Sequence, residues 1–269
     1  MSGAVCPQYR TGFYAPKRGG IASHPKLWRG CLGAWAPCLG PTGLTLYDWS
    51  GFGNHGTING ASFNPSHGKY SVDFDGINDT VSLTDLSAID GASSLQISLW
   101  VYPHLDEFCV FASKSDAALT AGWLLQTSFS ANRKIIFYVC SNGSLVTTQN
   151  DCLFATTWTH IFVTYRNSSV QIAVNGIQQA TTTTGTIPST LSATSTPVRI
   201  GGWEGGTAYF DGAADDIRIY REVTQTHKYL SLRRGIAYEL APRSRASAGD
   251  GFRSHWVRRQ SLIQMAGSN

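Results

Sequence analysis

Tyr209-Phe-Asp-Gly-Ala-Ala-Asp-Asp-Ile-Arg-Ile-Tyr220 is the stretch whose reading decides the fold. Read with period two, Asp215, Ile217 and Ile219 share one face while Ala214, Asp216, Arg218 and Tyr220 share the other, the pattern of a strand with an apolar side. Asp215 is therefore expected to point with the isoleucines. A carboxylate on an apolar face is costly to leave bare; a cation, backbone N–H groups or an arginine must compensate it.

Upstream, the same alternation recurs. Val72 and Phe74 alternate with Ser71, Asp73 and Asp75, then Gly76-Ile-Asn-Asp79 turns the chain toward Val81 and Leu83, which predicts a hairpin. Further strands are expected at 95–102, 109–113, 123–127, 134–140, 145–148, 158–166, 170–174 and 198–201, with Asn175-Gly176 as a second hairpin turn. Nothing between 27 and 220 has a helical period, so the fold class is all-β, an antiparallel two-sheet sandwich. Residues 222–234 are the exception and are expected to form a short helix with Thr224 as N-cap. Trp100, Trp123 and Trp158 lie inside strand patterns and are expected in the core.

Composition supports one ordered domain with appendages: 269 residues, 42% hydrophobic and only 14% charged, can bury a single good core. The net charge of +4 is not spread along the chain; its basic residues gather at the two ends. No apolar run approaches membrane-spanning length, so membrane insertion is not expected, and the N-terminus lacks the charged-then-apolar order of a secretory signal. Synthesis in the cytoplasm follows as the expectation. The six cysteines have no CxxC spacing and are read as free, partly buried thiols.

Leu46-Tyr-Asp-Trp-Ser-Gly-Phe-Gly-Asn-His-Gly-Thr57 is dense in turn formers and oxygen donors. Asp48 and Asn54, with carbonyls freed by the glycines, suit either an oxygen cage for a hard cation or an Asx-rich turn that satisfies its own backbone. His55 reads either as a ligand contact or as a loop histidine bonded to backbone. The Gly201-Gly-Trp-Glu-Gly-Gly-Thr-Ala-Tyr209 loop offers Trp203, Glu204 and Tyr209 for contact with a sugar. The alternative for Trp203 is packing back on the edge of the sandwich.

In order along the chain, Cys31-Leu-Gly-Ala-Trp35, Asp48 to Thr57, Val72-Asp-Phe-Asp-Gly-Ile-Asn-Asp79, Ile97-Ser-Leu-Trp-Val-Tyr102, Trp158 to Tyr165, Val174-Asn-Gly176 and Asp215 to Tyr220 resemble the LamG-like jelly roll of the concanavalin A-like lectin/glucanase superfamily. The resemblance covers about residues 27–234 and is specific for fold, much less so for function. It implies a structural Ca²⁺ held by Asp215, Asp48, Asn54 and the Gly56 carbonyl. The glucanases of the superfamily carry two glutamates flanking an aspartate on one strand. Here Glu107, Glu204, Glu222 and Glu239 stand far apart, and there is no nucleophile elbow, P-loop or HExxH, so no catalytic activity is expected.

Residues 1–26, with Tyr9, Arg10, Phe13 and Tyr14, read as an extended arm. Residues 235–269 carry five arginines and no lysine, and interleave Phe252, Arg253, Trp256, Arg258 and Arg259, residue types that anchor protein interfaces. Nucleic acid is not the expected partner, because the arginines form no block and the sandwich has no basic stripe. The tail and its Arg-Arg-Gly-Ile-Ala-Tyr-Glu junction resemble those of tailed-bacteriophage proteins. That resemblance implies an accessory protein of the virion surface, such as a head decoration protein. Its arms would dock on other subunits, in a homo-oligomer, with the sandwich displayed toward a host-surface polysaccharide. A bacterial extracellular carbohydrate-binding module is the alternative, and a hydrolase with an unfamiliar carboxylate pair a third.

Overall fold

A computed structural model describes residues 27–65, 69–128, 133–223, 230–232 and 234. In chain order the strands are β1 (Cys31–Trp35), β2 (Thr45–Leu46), β3 (Gly56–Asn59), β4 (Ser62–Asn64), β5 (Ser71–Asp75) and β6 (Thr80–Ser82). They continue with β7 (Ser94–Pro103), β8 (Val110–Ser115), β9 (Gly122–Thr127), β10 (Ile135–Val139), β11 (Ser144–Thr148) and β12 (Thr159–Arg166). The last are β13 (Ser169–Val174), β14 (Ile177–Gln178), β15 (Thr181–Thr184), β16 (Arg199–Ile200) and β17 (Asp211–Tyr220). The two sheets are antiparallel, as expected of the jelly roll. One runs β14-β13-β12-β7-β17-β5-β4, with β1 also on β17; the other runs β15-β11-β10-β9-β8-β16-β6-β3-β2. The expected helix at 222–234 falls largely outside the described residues, although Leu230 is helical.

β17 is the axis of the first sheet. Its first half lies between β5 and β7, and its second half between β1 and β7. The main core fills the space between the sheets: Ile97, Leu99 and Val101 of β7 and Ile217 and Ile219 of β17 meet Phe111, Trp123, Leu125 and Phe137 from the other sheet. Alternation places these side chains inward because each strand has one apolar face.

The position of Asp215 differs from the sequence expectation. Opposite β7, Asp215 pairs with Trp100, yet Arg218 pairs with Ser98, so β17 carries one residue too many across that interval. This is a β-bulge, with Asp216 in the left-handed region at φ 46°. The extra residue reverses the parity of the strand. Ala214 and Ile217 both face the core, while Asp215, Arg218 and Tyr220 share the outer face with Ser98 and Trp100. Strict period-two counting across a bulge puts Asp215 on the wrong side.

That outer face is itself covered. Leu27, Trp28, Cys31, Ala34 and Ala36 from the start of the described chain, with Leu230 from its end, form a second, smaller core against Tyr220, Phe162 and Ala173. Of the three strand tryptophans, only Trp123 belongs to the main core. Trp100 is buried on the outer face, its indole N–H donating to the Leu230 carbonyl (3.2 Å), and Trp158 is half-buried there.

At the far end of β8, Lys114 is 1% exposed, and its ammonium lies 2.6 Å from the Asp85 carboxylate and 3.2 Å from that of Asp90. It also donates to the Thr194 and Thr196 carbonyls, which ties two connecting segments to the sheet. Only the ammonium is buried, since the Asp85 side chain is 46% exposed, so its removal leaves the Thr194 and Thr196 carbonyls without their donor rather than a buried charge stranded. Lys114→Met is expected to cost about 3 kcal/mol, roughly 1–2 for each carbonyl left unpaired. In a thermal melt that is a drop in Tm of roughly 6–12 °C.

Candidate functional site

Three places gather polar or aromatic groups. The first is the outer face of the nine-stranded sheet. Register puts Gln126 opposite Val110 of β8 and Ile136 of β10, with Leu124 opposite Tyr138 one step along the same face. Val110, Leu124 and Cys140 form an apolar patch, and Trp203 and Ala208 of the 201–210 loop pack on it beside Tyr138. Trp203 is half-buried, its indole N–H donating to the Thr207 carbonyl (2.6 Å). Gly205 makes the fold-back possible, since a Cβ there would lie 2.0 Å from the Trp203 ring. Trp203 thus packs on the sheet and keeps one part exposed. Glu204 turns away to pair with Arg199, whose guanidinium Nε lies 2.9 Å from the carboxylate.

The second place is a polar pocket of about 140 Å³ at the rim, where β7 crosses to β8 and the chain enters β17. Asp75, Glu107, Asp211, Tyr209, Leu105, Gly76 and Cys109 line it. The backbone N–H of Ile77 above all, with that of Asn78, holds the Asp75 carboxyl below its ordinary range. Asp211 meets Nδ1 of His104 at 2.8 Å. Tyr209 is therefore the one sugar-contact candidate that faces this pocket; Trp203 and Glu204 belong to the sheet face.

The third is the 48–56 loop. Asp48 Oδ1 accepts from the Ala34 and Ser50 N–H groups (2.9 and 2.8 Å), and Oδ2 from the Ser50 hydroxyl and the Asn54 N–H (2.7 and 3.0 Å). Asn54 donates to the Leu32 carbonyl, while its carbonyl side-chain oxygen accepts from Thr84 and its backbone oxygen from Trp35. His55 Nδ1 accepts from the Asp48 N–H (3.0 Å), and its ring stands edge-on to Tyr47. Gly56 sits in β3, paired with Leu46. The Asx-turn alternative describes this loop.

Asp215, the other expected cation ligand, is compensated differently. Its Oδ1 accepts from the Cys38 and Asp216 N–H groups (3.0 and 2.7 Å). Arg234 Nε lies 3.3 Å from Oδ2, an ion pair whose geometry falls short of a hydrogen bond. The same guanidinium lies 4.0 Å over the Trp158 ring and donates to the Lys69 carbonyl, while the Lys69 ammonium donates to the Arg234 carbonyl. Next to it, Asp216 pairs with Arg218 (2.9 Å), both nearly fully buried, and Arg218 lies over Trp28. Burial pushes Asp215 up to about 7, against the pull of Arg234. Burial also pulls Arg234 down, the same desolvation acting on the opposite charge.

These donor sets do not fit the expected Ca²⁺. Asp48 already has four neutral donors aimed at its two oxygens, which a cation would have to displace, and Asp215 faces a guanidinium, which would repel one. Among the described residues no group of three or more His, Cys, Asp or Glu is arranged to hold a metal.

For nucleophilic chemistry the described residues offer little access. Ser98 and His160 are hydrogen-bonded at 2.9 Å, but both are closed off from solvent. The five described cysteines are free, and burial pushes Cys31, Cys109 and Cys140 up to about 12, far from thiolate reactivity. The arm residues Tyr9, Arg10, Phe13, Tyr14, Phe252, Arg253, Trp256, Arg258 and Arg259 lie outside the described residues. No helix among the described residues is long and apolar enough to cross a membrane.

Gln126, Tyr138 and Arg234 were not singled out by sequence reasoning. Gln126 had a faint signal, a lone amide in Trp-Leu-Leu-Gln-Thr; Arg234 had none, because its partner is fixed only by the bulge.

A two-sheet antiparallel sandwich of this strand order is a jelly-roll architecture that hosts many functions. Residues 75–227 match the Laminin_G_3 family of the concanavalin A-like lectin/glucanases superfamily, and the chain belongs to that family. No curated protein matches it significantly. Among solved structures it is similar to domain 4 of AbnA, a GH43 extracellular arabinanase from Geobacillus stearothermophilus, in complex with arabinotriose. That likeness has 16% identity and a TM-score of 0.51 over 79% of this chain and 98% of that domain. It is also similar to the binding domain of Paraclostridial Mosquitocidal Protein 1 (12% identity, TM-score 0.55) and to Trypanosoma rangeli sialidase bound to the inhibitor DANA (13%, 0.52). These cover 76% and 74% of this chain, which spans 52% and 32% of their lengths. At such identities the likeness shows the fold.

Two outcomes follow. Because the expected ligands are already occupied by donors, neither EDTA nor added Ca²⁺ is expected to move the melting temperature; a rise with Ca²⁺ would reveal a site elsewhere. The Asp215 carboxyl, raised in the folded state above the ordinary 3.8, favours folding most below pH 4. That contribution is lost as pH rises toward about 7. Urea melts across this window should show a smaller loss for Asp215→Asn than for wild type, and Arg234→Ala should carry the loss to higher pH.

Proposed function

We propose that this protein is a non-catalytic carbohydrate-recognition module, mounted through its terminal arms on a larger assembly, with the virion surface as its setting. The observation that carries recognition is the Trp203 ring, locked half-exposed over an apolar patch on the outer face of a sheet. Aromatic faces of this kind stack on the C–H faces of sugars, and a pre-locked ring loses little entropy on binding. The arabinotriose-bound domain and the binding domain of the mosquitocidal protein support the same reading through their fold.

The non-catalytic part rests on the carboxylates. Glycoside hydrolysis needs a raised carboxylic acid facing a second carboxylate across an open cleft. Asp215 is raised but fully buried, Asp79 is raised by burial within its turn, and Asp75, which does line the pocket, is held low. Glu204 is engaged by Arg199 and Glu222 by Arg29 (2.7 Å).

Support for the arms comes from composition: aromatic and arginine side chains without the periodicity to build a core of their own. The full chain is expected to bind at least one immobilised polysaccharide without releasing reducing ends, and Trp203→Ala to weaken that binding. Deleting 1–26 and 240–269 should release the protein from its particle or oligomer while leaving carbohydrate binding intact. Turnover abolished by a single carboxylate substitution would replace this reading with the hydrolase one.

A further inference from the structure

Gln126 is 6% exposed, and no side-chain hydrogen bond of its amide is found among the described residues. Buried amides are ordinarily satisfied, because leaving one bare costs as much as its desolvation. None of its amide atoms is sealed from solvent, so water or a ligand that displaces it can reach them. Its cross-strand neighbours are Val110 and Ile136, both buried and apolar. Leu124 and Tyr138 lie next along the face, and the Trp203 ring packs on this same patch. The Tyr138 hydroxyl, beside Gly143, also has no hydrogen bond among the described residues.

We propose that Gln126 and Tyr138 form the polar floor of a binding site for a neutral carbohydrate, walled by Trp203. The proposal rests on the carbohydrate reading above and narrows it to a place and a ligand class. A primary amide donates and accepts together, which matches the paired hydroxyls of a sugar ring. The apolar surround of Val110, Leu124 and Ile136 takes the C–H face and disfavours a ligand carboxylate, which would be desolvated beside them without a paired cation. Lys134, the residue just before β10 and two positions from Ile136, lies past the end of this run of apolar neighbours. The rim pocket at Tyr209 is a separate feature, lined by three carboxylates.

The test is calorimetric titration of the full chain with neutral arabino-, xylo-, gluco- and manno-oligosaccharides and with anionic oligogalacturonate. Gln126→Met keeps the volume and removes only the amide; Tyr138→Phe removes only the hydroxyl. The expected result is binding of a neutral oligosaccharide, weakened about tenfold by Gln126→Met, the scale of one lost buried hydrogen-bonding partner. Tyr138→Phe should weaken it in the same direction, both with melting temperatures near wild type. Neutral binding unchanged in both variants would overturn this site while leaving the carbohydrate reading standing. Binding of oligogalacturonate alone would overturn the ligand class. No binding to any carbohydrate, here or on immobilised polysaccharide, would overturn the reading on which the site rests.

Discussion

Asp215 is a carboxylate with no exposure to water, and the way it is compensated organises one whole side of the sandwich. The bulge at Asp216 turns it onto the outer face of the central strand, where three separate pieces of chain close over it. Cys38 supplies a backbone N–H, Trp158 an aromatic plate and Arg234 the opposite charge. Each is distant in sequence, so the carboxylate acts as a peg that gathers three separate pieces of chain. A desolvated pair of this kind adds little net stability but penalises every alternative arrangement that leaves one charge alone.

The consequence is a division of labour between the two sheets. The outer face of the eight-stranded sheet is used up internally, by the second small core and the ionic network beneath it. Among the described residues, the 201–210 loop and Leu119 of the neighbouring turn pack on the apolar patch of the nine-stranded sheet's outer face, beside the nearly buried Gln126. Leu27, bonded to Tyr220, and Arg234, paired with Asp215, both lie on the outer face of the eight-stranded sheet.

The metal expectation picks out two carboxylates, Asp48 and Asp215, by residue type and family resemblance. Asp48 and Asp215 both need compensation, as any buried carboxylate does. A cation is one solution and directed N–H groups are another; the described residues aim such groups at both carboxylates, with a guanidinium beside Asp215 alone. The residue types are the same in either case, so type and spacing alone cannot separate them.

What the sequence by itself determined is what alternation and turn chemistry encode locally: the all-β class, the Asn175-Gly176 turn, the boundaries of the longer strands to within a residue or two, and the aromatic 201–210 loop, while short strands such as β2, β4 and β15 carried no such signal. Period two is a property of neighbouring residues, so it is legible without knowing what packs where. Only the tertiary structure decided which face Asp215 takes, because a bulge is defined by the partner strand's residue count and not by its own. The same holds for Arg234 and Gln126, one made structural by a carboxylate nineteen positions away and the other left unpaired by apolar neighbours on two other strands. Pairing and its absence are relations across the fold, and no single stretch of chain contains them.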